Sequence, residues 1–401
     1  MLPVLGVLLA FAVIVALRLR NVDFSLSILT GSLILAVTSE APVGVIVEAG
    51  RLTLTDPDTL SLAVAVALIT VLGYSLKETR LMTELIEGLR GVLPARVLLA
   101  LIPAMFGLLT MPGGALMSAP FNEPEANRLG LKPEQKTYIN VWFRHVWYWA
   151  SPLSPVAILA ASLAGFTLNG FLAAQLPILA VTVALGFLVG STFIKDGGRS
   201  NHGAKGLPEV ARGLAPIVLA VVLSAVGVPI WMALALAVAL VFLIRKVPPG
   251  KAFNMIHSGV RWDLAAAVVS MFFFRFVVES SGSVEALFES ATELGVPLIA
   301  ILVVVPLLVG SISGTPTMGI GIIFPLLLPL LGDYNVYVVS IIYAGLIGGY
   351  LASPMHLCLI LTNSYYRSEL GRVYRYLVPS AALLYVFAVA YYLFMNGAIP
   401  V

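Results

Sequence analysis

Apolar runs recur along the chain near residues 2–17, 24–38, 59–75, 97–110, 138–165 and 168–192, separated by short polar stretches. A shift of 202 residues carries this pattern onto runs close to 208–226, 229–244, 263–278, 296–312, 335–365 and 373–396. The residues themselves echo at that shift. Trp147-Tyr148-Trp149-Ala150-Ser151-Pro152 answers to Gly349-Tyr350-Leu351-Ala352-Ser353-Pro354, and Ile158, Leu159 and Ser162 answer to Ile360, Leu361 and Ser364. Crossing a bilayer takes roughly 20 apolar residues per helix. The pattern therefore predicts an all-α, polytopic membrane protein made of two repeats, residues 1–196 and 207–401, with the polar, Gly-rich stretch Gly197–Gly206 between them.

Composition narrows the class. Only 11% of the residues are charged, where a soluble domain has about a quarter, so neither a soluble catalytic domain nor nucleic-acid binding is expected. Leu2–Leu17 lacks a basic n-region and a small-residue cleavage site, and reads as a span. The single cysteine, Cys358, lies in an apolar run and forms no disulfide.

Charge sets the relative orientation of the halves. Arg18 and Arg20 have no basic counterpart around Val226–Val228, and Lys77, Arg80, Arg90 and Arg96 correspond to Glu279–Glu293, whose charged side chains are all acidic. Arg128, Lys132 and Lys136 correspond to a stretch holding only Asp333. Conversely, the poorly basic Glu40–Asp58 corresponds to the region of Arg245, Lys246, Lys251 and Arg261. Under the positive-inside rule the halves are upside down relative to each other.

Inversion needs an odd number of crossings per half, so one of the six runs must return to its own face. Arg96 and Arg128 flank the fourth run, which reads as a re-entrant hairpin: Ala95–Thr110, a tip at Met111–Gly114, then Ala115–Phe121. Its counterpart is Val296–Ile312, a tip at Ser313–Thr317, then Met318–Leu331. Each repeat then has five transmembrane helices, one re-entrant hairpin and one broken helix, at 138–165 and 335–365. Both termini are external to a multi-pass plasma-membrane protein. Twelve plain spans in parallel halves would instead put basic loops on both sides. Lys77–Leu89 and Ser283–Leu294 mix charged and apolar residues as interfacial helices do.

Breaks inside a bilayer free backbone groups that lipid cannot satisfy, and paired breaks in corresponding halves point to a transporter site. The first tip brings Pro112, Gly113 and Gly114, with Ser118 the nearest hydroxyl. The second brings Ser313, Gly314, Thr315 and Thr317. At the breaks stand Ser151, Pro152 and Ser154, and Ser353, Pro354 and His356, with Thr362 and Asn363 following. Freed carbonyls and hydroxyls suit Na⁺, expected at Gly113, Ser151, Thr315 and Ser353, while half-helix N-termini suit an anionic group. Arg144 and His145 are candidate charge partners for the solute. The plainer readings are a tolerated kink for the Ser/Pro/Gly positions, snorkelling for Arg144, and a carbonyl-satisfied core imidazole for His356. Arg275 is placed to pair with Glu279 one turn later.

Two inverted repeats with hairpins and broken helices resemble the ion transporter superfamily, which includes the divalent anion/sodium symporters. The Pro-Gly-Gly-Ala hairpin and twin Ala-Ser-Pro breaks resemble an uncharacterised family of archaeal and bacterial integral membrane proteins within it. The resemblance implies a homodimer whose protomers carry a transport domain past a scaffold domain like an elevator. It also implies Na⁺ and a substrate carboxylate held between tips and breaks. The superfamily's Ser-Asn-Thr tip motif is missing here: Met111–Ala115 has no hydroxyl, and Ser313–Thr317 has Gly and Pro between its hydroxyls.

The expected function is secondary active transport of a small anionic, carboxylate-type solute coupled to Na⁺ or H⁺, with the bilayer as partner and no cofactor beyond the coupling ion. No Gly-x-x-x-x-Gly-Lys-Ser/Thr loop supports ATP drive. The alternatives are a cation/proton exchanger without organic substrate, and an intramembrane hydrolase using Ser151 or Ser313 with His145 or His356.

Overall fold

The computed structural model describes residues 2–20, 22–108, 114–194, 206–282, 297–313 and 315–397, and no strand occurs among them. The first half holds α1 (Leu2–Leu19), α2 (Phe24–Val37), α3 (Pro42–Thr55), α4 (Pro57–Glu78), α5 (Leu81–Val92), α6 (Ala95–Leu108) and α7 (Gly114–Arg128). An interrupted helix follows as α8 (Pro133–Arg144), α9 (Trp147–Ala150) and α10 (Pro155–Leu163), then α11 (Leu168–Ser191). The second half holds α12 (Leu207–Ala225), α13 (Ile230–Ile244), α14 (Pro249–Gly259), α15 (Trp262–Ser280), α16 (Leu298–Ser313) and α17 (Pro316–Leu327). A short 3₁₀ turn, Leu328–Leu331, leads to the interrupted α18 (Val336–Ala352) and α19 (Leu357–Tyr366), and α20 (Leu370–Asn396) closes the chain.

Six of these segments are long and apolar enough to cross a membrane, counting Pro133–Leu163 and Val336–Tyr366 as one each. Large apolar side chains such as Leu5, Leu33, Leu188, Val222 and Leu383 stay exposed on the outer faces. A bilayer would solvate that surface, and water would not.

Starts and stops follow local chemistry. Asp23 caps α2 by accepting from the Leu26 amide at 3.2 Å, and Asp56 caps α4 through the Thr59 amide at 2.8 Å. Proline occupies the first turn of α3, α4, α8, α10, α12, α14 and α17, where its missing N–H costs nothing.

Four stretches differ from the sequence expectation. The connection at Glu40–Asp58 contains α3, whose Val45, Ala49 and Thr53 are buried on one face; α14 forms likewise in the basic region of the second half. The first interfacial helix begins later than Lys77, because α4 runs on to Glu78 and Arg80 turns the chain with φ of 61°. It then buries Leu81, Met82, Leu85, Ile86 and Leu89 and packs on α12. The second arm of the first hairpin passes Phe121 and reaches Arg128 despite Pro120 and Pro124. Arg90 stabilises that extension, donating to the Phe121 carbonyl at 2.7 Å and to Glu125 at 3.0 Å. The Ser283–Leu294 stretch and most of Gly197–Gly206 lie outside the described residues.

The halves interleave. α4 packs on α13 while α15 packs on α2; α19 packs on α7 and α8 while α10 packs on α17. Contacts between the halves sort the helix ends into two groups. At one end Arg245 pairs with Glu84 at 2.6 Å, Tyr365 donates to Glu123 at 2.8 Å, and Thr137 bonds Ser368 at 2.8 Å. At the other, Asn169 donates to the Ser224 and Ala225 carbonyls at 3.3 and 3.2 Å, and Tyr334 donates to the Ala164 carbonyl at 3.4 Å.

Candidate functional site

The helix interruptions are built alike. Pro152 and Pro354 supply no N–H, so the chain leaves the helix one residue earlier. Ser151 Oγ then accepts from the Leu153 amide at 3.2 Å, and Ser353 Oγ accepts from the Met355 amide at 3.0 Å, each closing a tight side-chain turn. Ser353 also donates to the Ser311 carbonyl at 2.6 Å, which fixes the end of α16 against the second break. The two restarts differ. Ser154 caps α10 through the Ala157 amide at 3.4 Å, whereas His356 holds the same place before α19 without a side-chain cap.

Two imidazoles meet between the interruptions. His145 ends α8 and places Nε2 3.1 Å from His356 Nε2. Both rings are buried. His145 Nδ1 lies 2.6 Å from the Val141 carbonyl, which only accepts, so the proton sits on Nδ1. Tyr148 packs edge-on against His145 with centroids 5.1 Å apart, and Tyr350 lies 4.0 Å from His356. These tyrosines are related by the 202-residue shift of the sequence pattern and touch each other at 5.9 Å. The Tyr343 hydroxyl donates to the Tyr148 carbonyl, tying the α18 shaft to the first break.

The hairpin arms approach the broken helices at glycines. A Cβ on Gly107 would lie 1.8 Å from the Arg144 carbonyl, and one on Gly310 would lie 2.2 Å from the Leu346 carbonyl. Arg144, itself buried, donates from Nη1 to the Phe106 carbonyl at 2.9 Å. A short polar chain runs beside it. Ser118 donates to Asn140 Oδ1 at 2.8 Å, and Asn140 Nδ2 donates to Thr362 at 3.1 Å, joining α7, α8 and α19.

The expected site residues thus fall into groups. Ser151, Ser353, His145, His356 and Arg144 converge at the interruptions, with Pro152 and Pro354 making the breaks and Ser154 capping α10. Ser118 and Thr362 meet through Asn140, while Asn363 turns away and accepts from Ser368 at 2.6 Å. Ser313 Oγ donates within its own tip, 3.1 Å from the Thr315 carbonyl. Thr315 is exposed at the uncapped start of α17, and Thr317 is half-buried one residue into that helix. Gly114 opens α7, whereas Pro112, Gly113 and Gly314 lie outside the described residues. Sequence reading did not assign Asn140, Tyr148, Tyr350 or Cys358 to the site. A lone amide within an apolar run, tyrosines in matching repeat positions, and a cysteine two residues after His356 were the available signals. Arg275 pairs with Glu279 at 2.7 Å and lies over Phe272 and Phe276, beside a small cavity also lined by Leu163, Phe324 and Tyr334.

The model of a family described as a protein of unknown function, DUF401, matches residues 3–395, and the chain belongs to that family. No curated protein matches it in sequence. Among solved structures the fold is similar to the YdaH transporter of Alcanivorax borkumensis, whose topology is described as unusual. The TM-score is 0.63 at 15% identity, covering 85% of this chain and 86% of that one. At this identity the likeness is one of fold.

Proposed function

We propose that this member of the DUF401 family is a secondary active transporter of a small, carboxylate-type anion, driven by a Na⁺ or H⁺ gradient. The observation that carries the reading is the meeting of two interrupted helices through His145 and His356, 3.1 Å apart, with both hairpin arms crossing them at glycine. Interrupted helices of this kind are tolerated in a bilayer where they line a cavity or hold a ligand. The buried Arg144 guanidinium beside them favours an anionic solute. The uncapped restart at His356 adds the partial positive charge of a helix N-terminus. For a coupling Na⁺, carbonyl and hydroxyl oxygens at Ser151, Thr315 and Ser353 suit a hard cation; for H⁺, the histidine pair is the titratable group in place. The YdaH fold, named as a transporter's, agrees with this class.

In this reading the halves are inverted repeats spanning residues 1–196 and 207–401. The grouping of helix ends supports it: the start of α8 lies with the end of α19, as the Thr137–Ser368 bond and Lys136 over the Tyr366 ring record. α19 is the repeat-mate of α10, the continuation of α8, so mates run in opposite directions. Five spans and a hairpin per repeat put both termini outside a plasma membrane. Membership of the ion transporter superfamily, a homodimer, and an elevator movement of α6–α11 and α16–α20 against the other helices belong to the same reading.

The test is a thermal-shift screen of purified protein against small carboxylates and inorganic anions, with and without Na⁺ and across pH. A ligand that binds only the native state raises the melting temperature by mass action. Hits are then followed as uptake into proteoliposomes. Stabilisation by an anion, with uptake dependent on a Na⁺ or H⁺ gradient, is the expected outcome. Cation exchange with no anion response in either assay would replace this reading with the cation/proton exchanger.

A further inference from the structure

His145, His356 and Cys358 offer three ligand atoms, all within 4.8 Å of one another, at the point where the interrupted helices meet. The two imidazole nitrogens are 3.1 Å apart. Tetrahedral coordination with Zn–N bonds near 2.0–2.1 Å places neighbouring nitrogens roughly 3.3 Å apart. The pair is therefore already spaced close to one edge of such a site. Cys358 follows His356 by two residues at the start of α19 and is half-buried, which leaves an approach from its side.

The hydrogen bonding supplies a second, independent observation. Because His145 donates from Nδ1 to Val141, its Nε2 presents a lone pair to His356. With both rings neutral, His356 must donate from Nε2, and its Nδ1 becomes a bare acceptor. That nitrogen is fully buried and has no partner at normal hydrogen-bond geometry among the described residues. The nearby group is the Leu351 carbonyl, another acceptor. An orphaned buried acceptor is costly. A cation between the two Nε2 atoms removes the conflict, since both rings then carry the proton on Nδ1, facing Val141 and Leu351. Metal-bound histidines usually show this arrangement, the second N–H held by a carbonyl.

We propose that His145, His356 and Cys358 form a binding site for a thiophilic transition-metal cation of the Zn²⁺ class. The donor set is two neutral imidazoles and a thiolate, with the fourth position open to water or solute. This donor set selects against Mg²⁺ and Ca²⁺, which take oxygen ligands. Binding displaces the Cys358 thiol proton, so affinity rises with pH. It also clamps α8 to α19 and occupies the lone pairs that a coupling proton would use. The inference rests on the cluster's geometry and not on the transport reading.

Titration of the reduced, purified full-length protein with Co²⁺ and Zn²⁺ tests it without any transport assay. The expected result is one Co²⁺ per chain, with the visible bands of a tetrahedral ion and a near-ultraviolet thiolate-to-metal charge-transfer band, all bleached by Zn²⁺. Cys358→Ser should remove the charge-transfer band, and His145→Ala or His356→Ala should weaken binding at least tenfold. Should the histidine variants fail to fold, Cys358→Ser decides alone. Absence of stoichiometric Co²⁺ uptake, or a charge-transfer band that survives Cys358→Ser, would overturn the assignment.

Discussion

Gly107→Ala isolates the contact that seats the first hairpin against the broken helix. A Cβ there would stand 1.8 Å from the Arg144 carbonyl oxygen, 2.8 Å from its carbon and 3.1 Å from its Cα. All three are backbone atoms, so no side chain can swing away. Relative to an ordinary contact of 3.4 Å the oxygen is too close by 1.6 Å, and α6 must back away from α8 locally. The bond from Arg144 to the Phe106 carbonyl, 2.9 Å long and one residue from the clash, breaks or stretches. Overpacking costs about 1–3 kcal/mol, and a lost charge-assisted hydrogen bond about 1.5–3 kcal/mol. Because the two losses share one displacement, about 2–5 kcal/mol is expected for both together. Gly371→Ala is the control, since nothing among the described residues lies within 4 Å of a Cβ there. It sits in α20, where replacing glycine should be neutral or stabilise by up to ~1 kcal/mol. Melting of both variants in detergent, followed by tryptophan fluorescence, should show Gly107→Ala well below wild type and Gly371→Ala at or above it. Equal melting of the two variants would refute the reasoning.

Three further outcomes follow from the same contacts. A double-mutant cycle of Asn140→Ala with Thr362→Val should give a coupling of about 1 kcal/mol, because either change leaves the other buried group without its 3.1 Å partner; additive losses would sink the assignment. Arg275→Gln should change stability by less than about 1 kcal/mol, since both partners of its ion pair keep solvent access, and a collapse in melting would mark it as structural. Gly114→Leu and Ser353→Ala should abolish stabilisation by any anion found in the thermal-shift screen while expression holds. Unchanged stabilisation in both would remove the hairpin and the second break from the site.

Much of the helical layout was legible because span length and Ser-Pro interruptions are local properties. The apolar runs correspond to the long helices, and Ser151-Pro152 and Ser353-Pro354 mark where the chain leaves and re-enters helix. α3 and α14 were hidden by the proline at each start, which reads as a turn signal when no packing partner is known. α7 was read too short because Pro120 and Pro124 suggest an end, whereas Arg90, 31 residues upstream of Phe121, provides a donor that sequence alone does not connect to it. Candidate site residues were legible singly and not as a set. Nothing local places His145 against His356, 211 residues away. Asn140 was lost in an apolar run, and its role appears only once Ser118 and Thr362 face it from two other helices.

The central claim is that the two halves insert as inverted partners, and sidedness of labelling tests it most directly. Glu48 on α3 and Lys251 on α14 stand close to the 202-residue shift of the sequence pattern; the Glu48 side chain is 47% accessible, and Lys251 is exposed. In a Cys358→Ser background, Glu48→Cys and Lys251→Cys would be probed in intact cells with a membrane-impermeant thiol reagent and again after permeabilisation. The account predicts that Glu48→Cys reacts from outside and Lys251→Cys only after permeabilisation. Both residues reacting from the same side would contradict it.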